Sequence, residues 1–133
     1  MLTDSRIDVG IDMDGTTRNQ LPDSGLSRPF LFLGTQAEHS PGQDSTWDND
    51  FSRLTGWRRW ITVAGTVHNS FTDYDALADE AGLDLGATMT GTRSIEITRR
   101  YNLAMFDRHL RRLPQPLLDS ASSRYPEVTI VAK

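Results

Sequence analysis

The 133-residue chain contains no cysteine, and its only lysine is the last residue, Lys133, against thirteen arginines. Without thiols there can be no disulfide, no iron–sulfur cluster, no thiolate zinc site and no cysteine nucleophile. The arginine excess reads as a GC-rich coding bias more than a phosphate-binding surface. Acidic residues outnumber basic ones, 18 to 14, for a formal net charge of −4. That balance argues against a nucleic-acid partner, which calls for a basic face. No apolar run approaches the roughly 20 residues of a transmembrane segment. Residues 1–6 lack both the basic start and the apolar stretch of a signal peptide, and the compartment stays open. Leu, Ile, Val and Phe make up about 23% of the chain, just above the level that marks disorder. The length fits one domain with a core barely sufficient for its size.

Apolar residues are nonetheless placed with clear periods. Ile7, Val9, Ile11 and Met13 alternate with Asp8, Gly10, Asp12 and Asp14, which predicts a strand over residues 6–14. Phe30 to Leu33, closed by Gly34, reads as a buried parallel strand, and Arg59 to Ala64 as a third. Between them, Asp44 or Ser45 caps a short helix to Leu54 with Trp47, Phe51 and Leu54 on one face. Tyr74 to Leu83 is a short helical candidate. The longest helix is expected over Ser94–Leu113, with Leu103, Phe106, Leu110 and Leu113 along its buried stripe, stopped by Pro114 and Pro116. A last strand is expected over Glu127–Val131. Strands separated by helices imply an α/β layer architecture with a mostly parallel sheet and right-handed connections.

Ligands of such sheets sit beyond the carboxyl ends of the strands, so Asp14, the Gln36–Glu38 stretch and His68 are the residues to weigh. Strands one and three of an ordered sheet lie about 9–10 Å apart, twice the usual spacing, and loops can close that gap. An acid holding one imidazole nitrogen leaves the other free as a general base, the acid–base half of a hydrolase triad. On spacing alone the plainer reading has the stronger claim: Asp14 caps a turn and His68 is an ordinary loop residue. Glu38 is a rival acid whose plain reading is a surface loop residue, and His39 reads as a surface loop histidine. A metal site of His39, His68 and Glu38 has nothing in its spacing to recommend it. The basic residues of the last helix, Arg99, Arg100, Arg108, His109, Arg111 and Arg112, read as a solvated face suited to the helix dipole. Trp47, Trp57 and Trp60 are expected to be buried against the sheet.

Longer stretches carry a resemblance. Residues 10–17 (GIDMDGTT), 28–36 (RPFLFLGTQ), 54–74 (LTGWRRWITVAGTVHNSFTDY) and the helix YNLAMFDRHL followed by PQPLL together resemble the C-terminal part of α/β-hydrolases, in the lipase and platelet-activating-factor acetylhydrolase group. The similarity covers essentially the whole chain, and its most specific piece is residues 65–73, which match the loop of the catalytic histidine. The resemblance implies about three parallel strands flanked by helices, with His68 as general base. Asp14, in the family's Gly-x-x-x-Asp segment from Gly10, is the acid that orients it. The implied reaction is carboxylic-ester hydrolysis, on a small ester or lipid, through an acyl-serine intermediate, without cofactor or metal.

One departure governs the rest. The family's serine sits on a Gly-x-Ser-x-Gly elbow, and no such motif occurs in these 133 residues. By the family's order it lies shortly upstream of Leu2, so the chain is expected to be a single C-terminal segment holding two of three triad members and inactive by itself. The strand at 7–13 is then expected to carry an unpaired edge, filled by the missing N-terminal half or by self-association. A truncated relative used as a non-catalytic binding module is the alternative without chemistry. A second departure is Asp12, where relatives carry a neutral residue. Two carboxylates on one strand face raise one pKa unless Asp12 is solvated. Asp12-Met13-Asp14-Gly15-Thr16 also matches the signature of haloacid-dehalogenase-type phosphatases. That reading would make Asp12 a phosphorylated nucleophile and Asp14 its acid beside Mg²⁺, but the only lysine is the last residue, and the later acidic residues Asp73 and Asp75 follow the histidine loop, not a buried strand.

Overall fold

The computed structural model describes residues 4–132. One sheet holds four strands in chain order, β1 (Gly10–Met13), β2 (Phe30–Thr35), β3 (Arg58–Val63) and β4 (Val128–Ala132). The first three are parallel, as expected, and β4 adds a fourth, antiparallel to β3. Between them lie the single turn α1 (Gln36–His39), α2 (Ser45–Arg53), α3 (Tyr74–Glu80) and α4 (Gly91–His109). The helical turn α1 falls in a stretch whose sequence reads as loop.

The sheet is covered on both faces. Alternation along β2 and β3 sends Leu31, Leu33, Ile61 and Val63 to one side, where they meet Phe71, Leu118, Tyr125 and the buried residues of α4. Phe32 and Trp60 point the other way, into an aromatic cluster with Trp47, Phe51, Leu54 and Leu26. A strand buried on both faces carries no polar alternation, which is why β2 reads as an unbroken apolar run. Asp44 does cap α2, its carboxylate accepting from the Thr46 N–H at 2.8 Å.

Two expectations are corrected. β1 has four residues, not the seven to nine the alternation allows, and Ile7 lies exposed before it. β1 is also the edge of the sheet, hydrogen-bonded only to β2. The buried face of α4 is Ile97, Tyr101, Ala104 and Met105, whereas Leu103 (49% exposed), Phe106 (43%), Leu110 and Leu113 are open to solvent. The helix has two apolar stripes, and the one that contains Tyr101 packs on the sheet. The second is exposed; on the same helix Asn102 Nδ2 donates to Met13 Sδ of β1 at 3.1 Å.

The basic end of α4 is only partly a solvated face. Arg108 pairs with Asp119 at 2.8 Å, as does Arg59 at 2.9 Å, and both guanidiniums stack on Trp57. His109 packs edge-on against the same indole, and burial, helped by the charges of Arg108 and Arg59, lowers its pKa. This clasp ties the end of α4 to β3 and accounts for the half-burial of Trp57. Trp47 and Trp60 are fully buried, as expected.

Candidate active site

Asp14 follows directly on β1. Its N–H still donates to Leu33 O at 2.9 Å, extending the ladder by one residue, but its φ of 55° lies in the left-handed region and turns the chain out of the sheet. The side chain is 0% exposed. Oδ1 accepts from the Thr35 N–H at 2.6 Å, and Oδ2 lies 2.9 Å from Nδ1 of His68. The structure thus brings together the two residues that the sequence places at the ends of strands one and three.

His68 opens a 3₁₀ turn (His68–Phe71) after β3. The loop that presents it is pinned at several points. Gly65, at φ 78°, directs its carbonyl to the N–H groups of Thr88 and Met89, at 3.0 Å each. The Thr66 hydroxyl donates to Val63 O at 2.8 Å. Ser70 Oγ accepts from the Val67 N–H and donates to buried Asp75 at 2.7 Å. Held in this way, the His68 side chain is 70% exposed while Nδ1 faces the buried acid. One ring nitrogen is paired with a carboxylate, and the ring as a whole stays open to solvent.

His39 is the neighbour of this pair that sequence reasoning places wrongly. It is not a surface residue: it is 3% exposed. Its ring stacks on Trp47, with centroids 4.0 Å apart and planes 19° from parallel. Nε2 lies 3.3 Å from Asp14 Oδ1 and Nδ1 lies 3.3 Å from Asp44 Oδ2, both at ion-pair distance, and Nδ1 has no hydrogen-bond partner. The frame around it is fixed by indoles: Trp47 Nε1–H donates to Gly15 O at 2.6 Å, and Trp60 Nε1–H to His39 O at 2.8 Å. The signal available in the sequence is position. His39 follows the carboxyl end of β2, on the same sheet edge as Asp14 and His68.

Glu38 is exposed in α1, and the hydrogen bond from His68 goes to Asp14 instead. Glu38, Asp14 and His39 bring ligand atoms within 4.8 Å of one another. Both oxygens of Asp14 are already engaged there, by the Thr35 N–H and by His68. The same commitment answers the phosphatase reading, since a carboxyl with no exposed surface cannot reach a leaving group.

Asp12 is not simply solvated. Burial pushes its pKa up to about 6; the Gly15 N–H bond, 2.9 Å from Oδ1, and His39 oppose this, and the nearby charges of Asp14 and Asp44 add to it. A carboxyl whose folded pKa exceeds its ordinary 3.8 favours the folded state below about pH 4, and that contribution is lost as pH rises through about 6. Asp12→Asn keeps the acceptor for Gly15 and removes the buried charge. It is expected to raise stability by about 1 kcal/mol at pH 7.5, after discounting for solvent screening, and to change little at pH 4. Urea denaturation at the two pH values checks both halves.

No family model matches the chain. It is similar to a protein of Arthroderma benhamiae named "Probable 1-alkyl-2-acetylglycerophosphocholine esterase", 26% identical over 151 aligned residues that cover 98% of this chain and 39% of that protein. Among solved structures it superposes on the ferulic acid esterase from Streptomyces cinnamoneus with a TM-score of 0.87 and 37% identity, over 97% of this chain and 41% of the esterase. The chain therefore spans about two fifths of the length of these relatives. Its sheet and flanking helices have the α/β-hydrolase-like fold of the esterase. Both similarities agree with the resemblance read from the loop motifs, to part of a lipase- or acetylhydrolase-like α/β-hydrolase.

Proposed function

We propose that this chain supplies the acid and the general base of a carboxylic-ester hydrolase, Asp14 and His68, whose serine nucleophile stands on a part of the fold that these residues do not include. The observation that carries the reading is the contact of a wholly buried carboxylate with Nδ1 of an exposed histidine, at 2.9 Å, on the carboxyl edge of a parallel sheet.

The chemistry follows from that geometry. Asp14 accepts from Nδ1–H and so fixes the neutral ring in the tautomer whose Nε2 is a base. Nε2 takes the proton of the serine hydroxyl as the oxygen attacks the ester carbonyl. The resulting imidazolium is stabilised by the carboxylate beside it, and the proton then passes to the leaving alkoxide. Water repeats the sequence on the acyl-serine. The names of the two relatives share only a carboxylic ester, and that is the substrate class we assign.

The outer edge of β1 and the exposed Leu103, Phe106 and Leu110 of α4, a helix that reaches β1 through Asn102 and Met13, are the surfaces we assign to the elbow-bearing segment. Its strand would complete the sheet beyond β1 and its helix would cover the open stripe of α4. The test is a chimaera in which residues 4–132 replace the matching part of the Streptomyces cinnamoneus esterase. The 133-residue chain alone should show no serine labelling by a fluorophosphonate and no hydrolysis of p-nitrophenyl acetate. The chimaera should do both. Labelling of a serine in the isolated chain, or a folded chimaera that labels but does not turn over, overturns the proposal.

A further inference from the structure

Resting on the Asp14–His68 pair proposed above, we infer that His39 is a positioning residue for that pair, holding the inner oxygen of Asp14 so that the outer one stays aimed at His68.

The carboxylate of Asp14 is buried beyond the reach of water and needs donors from the protein on both oxygens. Oδ2 has His68. Oδ1 has the Thr35 N–H, 2.6 Å away, and on its other side only His39 Nε2, 3.3 Å away. A single backbone donor fixes one oxygen but leaves the carboxylate free to swing about that bond. A second group on the same oxygen, from a different direction, removes the swing. His39 can serve because it cannot move: Trp47 lies flat against its ring, Trp60 holds its carbonyl, and Asp44 faces its far nitrogen. Trp47 also grips Gly15 O, one residue past Asp14, so one indole braces both partners. The nitrogen facing Asp14 must then carry the proton, since Oδ1 can only accept. The line of side chains runs Asp44, His39, Asp14, His68, from the cap of α2 to the edge where the ester is bound.

His39 never meets substrate, so its role is read on His68. Long-range ¹H–¹⁵N correlation of the His68 ring, in the 133-residue chain at alkaline pH, reports which nitrogen of the neutral ring carries the proton. In the parent the Nδ1–H form should dominate. In Asp14→Asn the Thr35 N–H keeps the amide oxygen, the amide NH₂ faces His68, and the ring should invert to Nε2–H. In His39→Leu the ratio should fall by about tenfold, the scale of a lost polar contact to a buried carboxylate. His39→Gln, whose amide nitrogen reaches the place of Nε2, should keep the parent ratio. His39→Met is the apolar variant to read if the leucine variant loses its dispersed amide spectrum. An apolar variant that folds and keeps the parent ratio while Asp14→Asn inverts it overturns the role of His39 and leaves the pair standing. A glutamine variant that falls to the apolar level also overturns it. Asp14→Asn without inversion removes the pair itself, and the inference with it.

Discussion

Asp14→Asn in the chimaera is expected to lower kcat for p-nitrophenyl acetate by about four orders of magnitude with little change in KM. The reason is directional. Thr35 N–H already holds one oxygen of the side chain, so the amide that replaces the carboxylate must present its NH₂ to His68. A ring that accepts at Nδ1 carries its proton on Nε2, the nitrogen that should act as base. The substitution therefore leaves the shape of the site intact and reverses the polarity of one hydrogen bond. A loss below about tenfold would mean that Asp14 does not orient the base. Glu38→Gln, at an exposed position on α1, should leave kcat within about twofold, because no developing charge depends on it.

The second large effect is at Gly34, the last but one residue of β2. It is glycine because of proximity. A Cβ built there would stand 2.7 Å from Trp47 Cη2, 2.8 Å from His39 Cδ2 and 2.9 Å from Asp14 Oδ1. All three side chains are buried, and two are aromatic rings locked into the cluster behind the sheet. None can retreat cheaply, so Gly34→Ala should destabilise the fold by about 3 kcal/mol, at the upper end for overpacking. In the chimaera it should also cost about a hundredfold in kcat, since Asp14 or His39 must shift to make room. The urea midpoint and the initial rate measure the two losses separately. A methyl accepted at this position with neither loss would mean that the site is looser than its distances indicate.

The sequence makes Asp14 and His68 legible because both follow strands whose periods are plain, and topology then brings strand ends to one edge. Packing from separate elements is harder to read. His39 looks like a loop residue because its burial depends on Trp47 from α2 and Trp60 from β3, neither of which marks it by spacing. The stripe of α4 is misread for a related reason. Leu103, Phe106, Leu110 and Leu113 are more apolar than the Ile97, Tyr101, Ala104 and Met105 face, and a period reports a face without saying which neighbour it meets. The face that packs contains the small Ala104, which lets the helix approach the sheet, and Tyr101, which reaches Tyr125 with ring centroids 5.9 Å apart. β1 is shorter than its alternation because only residues 10–13 find partners on β2. Ile7 has the pattern of a strand with nothing to pair against.

The left-handed backbone of Asp14 has a consequence for how this protein would respond to selection. A non-glycine residue at φ 55° holds conformational strain of about 1 kcal/mol or more, and its carboxylate is buried near a second carboxyl that is already pushed toward the neutral form. Asparagine tolerates that backbone at least as well and brings no charge. Asp14→Asn should therefore melt no lower than the parent. On the role proposed for Asp14, screens that reward thermal stability alone would drift away from the aspartate at this position, and only a selection that also demands turnover would keep it.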